Sequence, residues 1–200
     1  MLRNREGSYG LVAIVLHWII AAAFLGQVTL GIVMVRVESM ALQFTLIQWH
    51  KSLGFTILAL SLARLAWRLT NRDPEPAACL GSTERIVAKT AHRLLYALLI
   101  LTPLAGWALV STSTLEVPSL AFNMLLIPDL PLASSEAAET FWRQAHTLLA
   151  YATAGIAIAH IAAALRHQFW LGDEVLGRML AIPRLGTTLT RETENDIPPS

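Results

Sequence analysis

Four apolar runs, separated by polar segments, organise the chain. The first extends from Leu11 to Val35 without a charged residue, and at about 1.5 Å of rise per residue it is long enough to span a bilayer with some tilt. A signal peptide is the competing reading, but the run is too long for a signal h-region. The second run goes from about Leu46 to Leu69 and is broken near its end by Arg64 and Arg68. The third covers about Thr90 to Ser111, and the fourth about Trp142 to Leu165. Pro103 falls inside the third run, where a kink rather than a stop is expected because neighbouring helices can satisfy the freed carbonyl. The pattern predicts an all-α fold, an integral membrane four-helix bundle.

The polar segments orient it. Arg3 and Arg5 precede the first run, Arg72, Arg85, Lys89 and Arg93 lie in or near the second connection, and Arg166, Arg178, Arg184 and Arg191 follow the last run. Basic residues stay on the cytoplasmic side, so both termini are expected there. The third connection, Thr112 to Phe141, has Glu116, Asp129, Glu136 and Glu139 but no Lys or Arg, as fits the opposite side. Pro118, Pro128 and Pro131 predict an irregular loop there, with a short apolar piece, Leu120 to Ile127, lying on the surface.

Composition agrees: 54% hydrophobic and 14% charged residues, with a mean hydropathy of +0.52, are far from the mix of a soluble domain. One transmembrane domain is expected over residues 1–183. The segment 184–200, ending Pro-Pro-Ser, has no apolar period and reads as a mobile tail. The single cysteine, Cys79, excludes an internal disulfide, a thiolate iron–sulfur site and a covalent haem attachment motif.

A fourteen-residue echo carries the chemistry. His17 is followed at that interval by Gly31, His50 by Arg64, His92 by Gly106, and His146 by His160. At about 100° per residue the interval returns to nearly the same helix face, about 21 Å further along the axis, most of the thickness of a bilayer's hydrocarbon core. Because successive helices alternate in direction, His17 and His160 come out at cytoplasmic depth, and His50 and His146 at the opposite depth. A bis-histidine haem takes one neutral imidazole on each side of its iron, so these four histidines are the candidate metal ligands for two non-covalent b haems. His92 belongs to the layer of His17 and is the alternative ligand for that iron. Gly31 and Gly106 suit the edge of a macrocycle pressed against a helix, although small residues also serve simple helix packing. Arg64 and Arg68 at the cytoplasmic layer, and Lys51 and Arg143 at the other, suit haem propionates; positive-inside anchoring is the alternative for Arg68. His167, seven residues past His160, is placed either to hydrogen-bond a quinone headgroup or as an interfacial histidine beside Arg166 and Trp170. The six tryptophans, at positions 18, 49, 67, 107, 142 and 170, read mostly as an aromatic belt.

His17-Trp18, Trp49-His50-Lys51-Ser52-Leu53-Gly54, Ala91-His92-Arg93-Leu94-Leu95-Tyr96 and the His146/His160 pair together make the chain resemble the bacterial cytochrome b561 family over roughly residues 8 to 170. The resemblance implies four helices, two b haems and electron transfer involving ubiquinone in the bacterial inner membrane, with the same histidine pairs as ligands. It also implies similarity to superoxide oxidases, which pass electrons from periplasmic superoxide to ubiquinone. The expected partners are ubiquinone, superoxide or another periplasmic donor, and membrane lipid, with a homodimer left open and nucleic acid excluded. The alternative function is a membrane-anchoring cytochrome b subunit of a hydrogenase or formate dehydrogenase-type complex. The acidic outer loop would repel an anion at long range, leaving Lys51 and Arg143 as local attraction.

Overall fold

The computed structural model describes residues 9–71, 81–115, 117–172 and 176–180. Four long helices form the frame: α1 (Leu11–Met34), α2 (Met40–Thr70), α3 (Ser82–Ser111) and α4 (Glu136–Arg166). All four are long and apolar enough to cross a membrane. Little of each apolar window is buried within the protein, 17% at most, so the leucines, isoleucines and valines on the outer faces have lipid as their partner. Arg3, Arg5, Arg72, Cys79, Glu116, Arg184, Arg191 and the tail 184–200 lie outside the described residues.

Three helices begin earlier than hydropathy predicts, because their first turns are polar and locally capped. The Ser39 hydroxyl accepts from the Leu42 N–H, Glu84 reaches back to the Gly81 N–H, and the Ser135 hydroxyl accepts from the Ala138 N–H. Each cap satisfies donors that a helix N-terminus leaves without partners, and Glu136 and Glu139 add negative charge to the first turn of α4. At its other end α4 runs into one π-turn, His167–Leu171, stopped by Gly172 in the left-handed conformation (φ 64°). A four-residue α5 (Gly177–Leu180) follows and is tied to α1 by the Trp18 indole N–H, which donates to the Met179 carbonyl at 2.9 Å.

The connection between α3 and α4 differs from the irregular loop expected. Ser119–Ala121 (β1) and Leu125–Ile127 (β2) pair as an antiparallel hairpin, with Leu120 opposite Leu126. Phe122 and Asn123 are both left-handed, φ 53° and 56°, and the Met124 N–H closes the turn on the Ala121 carbonyl at 3.1 Å. Asn tolerates this backbone; Phe adopts it only under constraint. The constraint comes from α2: the Ser52 hydroxyl accepts the Phe122 N–H at 2.8 Å, and the Phe122 ring packs edge-on against Trp49. Gln48 donates to the Pro118 carbonyl, Trp107 to that of Pro128, and the Leu130 N–H to the Ser111 hydroxyl. One end of the bundle is therefore covered by a hairpin stitched to α2 and α3.

Within the bundle α1 packs on α2, α2 on α3 and α3 on α4, with no comparable backbone contact between α1 and α4. Helices α1 and α4 each bury a single residue, Ile20 and Thr153.

Candidate functional site: two imidazole pairs at opposite ends of the bundle

His50 on α2 and His146 on α4 meet at the hairpin end, with ring centroids 6.2 Å apart and planes at 88°. His17 on α1 and His160 on α4 meet at the other end, 6.4 Å apart and at 79°. An imidazole nitrogen sits about 2 Å from a metal it ligates and about 1 Å in front of its ring centroid, so two imidazoles on opposite sides of one metal have centroids about 6 Å apart. Both pairs have that separation. His92 lies closer to His160, 5.2 Å between centroids, about 1 Å short of the same requirement. It joins the layer as a neighbour of His160.

Among the described residues no group of three or more His, Cys, Asp or Glu side chains is placed to hold a metal ion. Each pair brings two imidazoles together, so a metal held between them would take its remaining ligands from a cofactor such as a macrocycle. A buried nitrogen supplies the need. His50 Nδ1 is buried with no hydrogen-bond partner, a costly state in an apolar interior. The residues present therefore fit haem.

Local sequence explains how the rings reach these positions. A Cβ on Gly106 would stand 3.0 Å from Cε1 and 3.1 Å from Nδ1 of His146, and a Cβ on Gly31 would stand 3.3 Å from Cε1 of His50. The clearance expected for a macrocycle edge is taken up by imidazoles. The His146 ring lies against α3, where its Nδ1–H donates to the Thr102 carbonyl at 2.9 Å. The His50 ring lies against α1, where the Gln27 amide donates both to His50 Nε2 (3.1 Å) and to the His50 carbonyl (3.0 Å).

At the opposite end the guanidinium groups of Arg64 and Arg68 both sit over the Tyr96 ring, 5.5 and 5.3 Å from its centroid. This cation–π pairing holds two like charges in a partly buried place. Arg64 also bears electrostatically on His17 and His160, as its expected depth requires. His167 is half-buried at the junction of α4 with the π-turn, and Phe169 and Trp170 just beyond it are exposed.

The hairpin end is less basic than it first reads. Arg143 is paired with Glu139, and Lys51, half-buried, lies in the field of Asp129. Sequence reasoning missed Arg36 as a further cation at this end, and also missed Gln27, Thr102 and Thr153; Tyr96 entered it only within a motif, without a role. Gln27, the only amide in α1, carried a signal; a threonine in an apolar helix carries almost none, because its hydroxyl usually bonds the preceding turn.

A family model described as prokaryotic cytochrome b561 matches residues 8–181. The chain is 29% identical over 178 residues to cytochrome b561 homolog 2 of Escherichia coli (strain K12), covering 88% of this chain and 93% of that protein.

Proposed function

The chain belongs to the prokaryotic cytochrome b561 family, haem b-binding electron-transfer proteins that cross the bacterial inner membrane several times, and from that premise we propose that it carries electrons from periplasmic superoxide to ubiquinone. Two superoxide anions give up one electron each and leave as dioxygen, while one ubiquinone takes up both electrons and two protons and leaves as ubiquinol. The observation that carries the reading is the pair of opposed imidazoles at each end of the bundle, at a separation suited to sharing a metal.

His50 and His146 hold one b haem near the hairpin, and His17 and His160 hold a second at the other end. Haem iron, when bound, supplies reversible one-electron chemistry. Arg64 at one layer, and Lys51 and Arg143 at the other, neutralise propionates. The hairpin end faces the periplasm and both termini face the cytoplasm, as the arginines gathered at the His17 end favour. His167 donates a hydrogen bond to a quinone carbonyl at the cytoplasmic headgroup layer and relays protons to it. Among the described residues the hairpin end carries Arg36, Lys51 and Arg143 against Glu38, Asp129, Glu136 and Glu139, so attraction of the anion is local rather than long-range.

Pyridine haemochrome analysis of the purified protein is expected to give two haems per chain. An anaerobic pulse of superoxide should reduce them, and a ubiquinone analogue should reoxidise them. Absence of reduction by superoxide, together with a stable co-purifying enzyme, would overturn the donor in favour of a subunit role. Reporter fusions after Arg72 and Ser200 are expected to report cytoplasm, and one within Ser134–Glu139 periplasm; a periplasmic C-terminus would reverse the two ends.

A further inference from the structure

Thr153 stands seven residues from His146 and seven from His160, midway along the face of α4 that carries both. It is 1% exposed. Its hydroxyl donates to the Leu149 carbonyl at 2.6 Å, which commits its proton. The remaining contact, 3.0 Å to the Thr102 hydroxyl on α3, is then donated by Thr102. The backbone carbonyl of that same Thr102 accepts the His146 Nδ1–H, and Gly106, one turn further along α3, leaves the space in which the ring approaches. A side-chain bond thus fixes α3 against α4 at the residue whose carbonyl holds the imidazole.

We infer that Thr102 and Thr153 are positioning residues of the His50–His146 centre, locking the Thr102 carbonyl onto His146 so that its Nδ1 keeps the proton and its Nε2 is the nitrogen offered to iron. The inference rests on the reading that these two histidines hold a haem. An acceptor at the distal nitrogen of a ligating imidazole fixes its tautomer and raises its basicity, which favours the oxidised metal and lowers the potential of that centre. The opposing ligand lacks this support: His50 Nδ1 has no partner, and its Nε2 receives the Gln27 amide. The two ligands of one metal are therefore held differently. A threonine-to-valine change conserves shape and removes only the hydroxyl, while threonine to serine keeps it.

The test is a redox titration of the Thr153→Val, Thr102→Val and Thr153→Ser holoproteins. The His146 centre is assigned as the spectral component missing from His146→Ala. Either valine variant is expected to raise the potential of that component by a tenfold shift in its reduction equilibrium, about 59 mV for one electron, with the other centre unmoved and Thr153→Ser close to the parent. In the reduced holoprotein labelled with 15N-histidine, the His146 Nδ1–H should exchange slowly with solvent, and faster in the valine variants. Unchanged potentials and exchange in both valine variants, or equal shifts at both centres, would overturn the inference. Retention of both haems by His146→Ala would instead overturn the ligand reading beneath it. If Thr153→Val does not fold, Thr102→Val tests the same bond from the other side.

Discussion

The two ends of the bundle hold the same pair of side chains in different ways. At the hairpin end the imidazoles are held by the backbone and by the absence of side chains: His146 on a carbonyl, His50 beneath an amide, each against a glycine. A hairpin stitched through Ser52, Gln48, Trp107 and Ser111 covers that end. At the other end three histidines, two arginines and a tyrosine crowd one layer, and the capping chain is a short helix tied through Trp18. The first arrangement constrains ring orientation and restricts access; the second concentrates positive charge and titratable groups in one layer. On the proposed function, the first end would serve electron entry and the second proton-coupled delivery.

The largest test of that contrast is ligand deletion. His50→Ala and His146→Ala are each expected to lose one of two haems and keep the other centre, while His17→Ala and His160→Ala lose the complementary one, measured by haemochrome and low-temperature spectra. His92→Ala should retain both; loss of a haem in that variant would move the ligand from His17 to His92. Next in size is clearance. Gly106→Ala puts a methyl 3.0 Å from His146, an overpacking that costs about 1–3 kcal/mol in a well-packed interior, so haem at the hairpin end should dissociate about tenfold faster or more. Gly31→Ala, at 3.3 Å, should show the same direction and a smaller change.

Smaller again is His167→Ala, which should leave both haem spectra intact and slow reoxidation by ubiquinone severalfold, with reduction by an outer donor unchanged. Unaltered quinone kinetics would return His167 to an interfacial role and make His92 the residue to test. The smallest effect is expected from Glu139→Gln. It releases Arg143 from a pair one helical turn long on an exposed face, and such pairs contribute about 0.3–0.5 kcal/mol, so reduction by superoxide at low salt should quicken about twofold and the gain should vanish at high salt. No salt-dependent change would show that Arg143 does not guide the anion.

The helices and the facing of the histidines were legible in sequence because both follow from period: hydropathy marks a span, and an interval of fourteen residues marks a face. Their starts were misplaced because the polar turns capped by Ser39, Gly81–Glu84 and Ser135 lie outside the apolar windows. The hairpin was hidden for another reason. Its turn uses Phe122 in a backbone conformation that phenylalanine avoids in isolation, and only the distant Ser52 and Trp49 make it tolerable. The glycines were read as clearance for a macrocycle edge or for helix packing, and the imidazoles that stand against them were not visible, since an imidazole on another helix leaves no local signal. Thr102 escaped for the same reason: it acts through its carbonyl, which every residue has.

The π-turn at the end of α4 has a bearing on how such a chain tolerates insertions. A π-turn accommodates one residue more than an α-turn, so it absorbs an added residue while the helix continues. Here it begins at His167, beyond both His146 and His160, and the stretch between those two is unbroken α-helix. One residue added inside that stretch would swing one imidazole by about 100° and carry it about 1.5 Å along the axis, out of reach of its partner. The same residue added after His160 changes only the direction in which the membrane-edge segment leaves. The interval between the two histidines is thus a fixed-length word, with its slack confined to the far end of the helix.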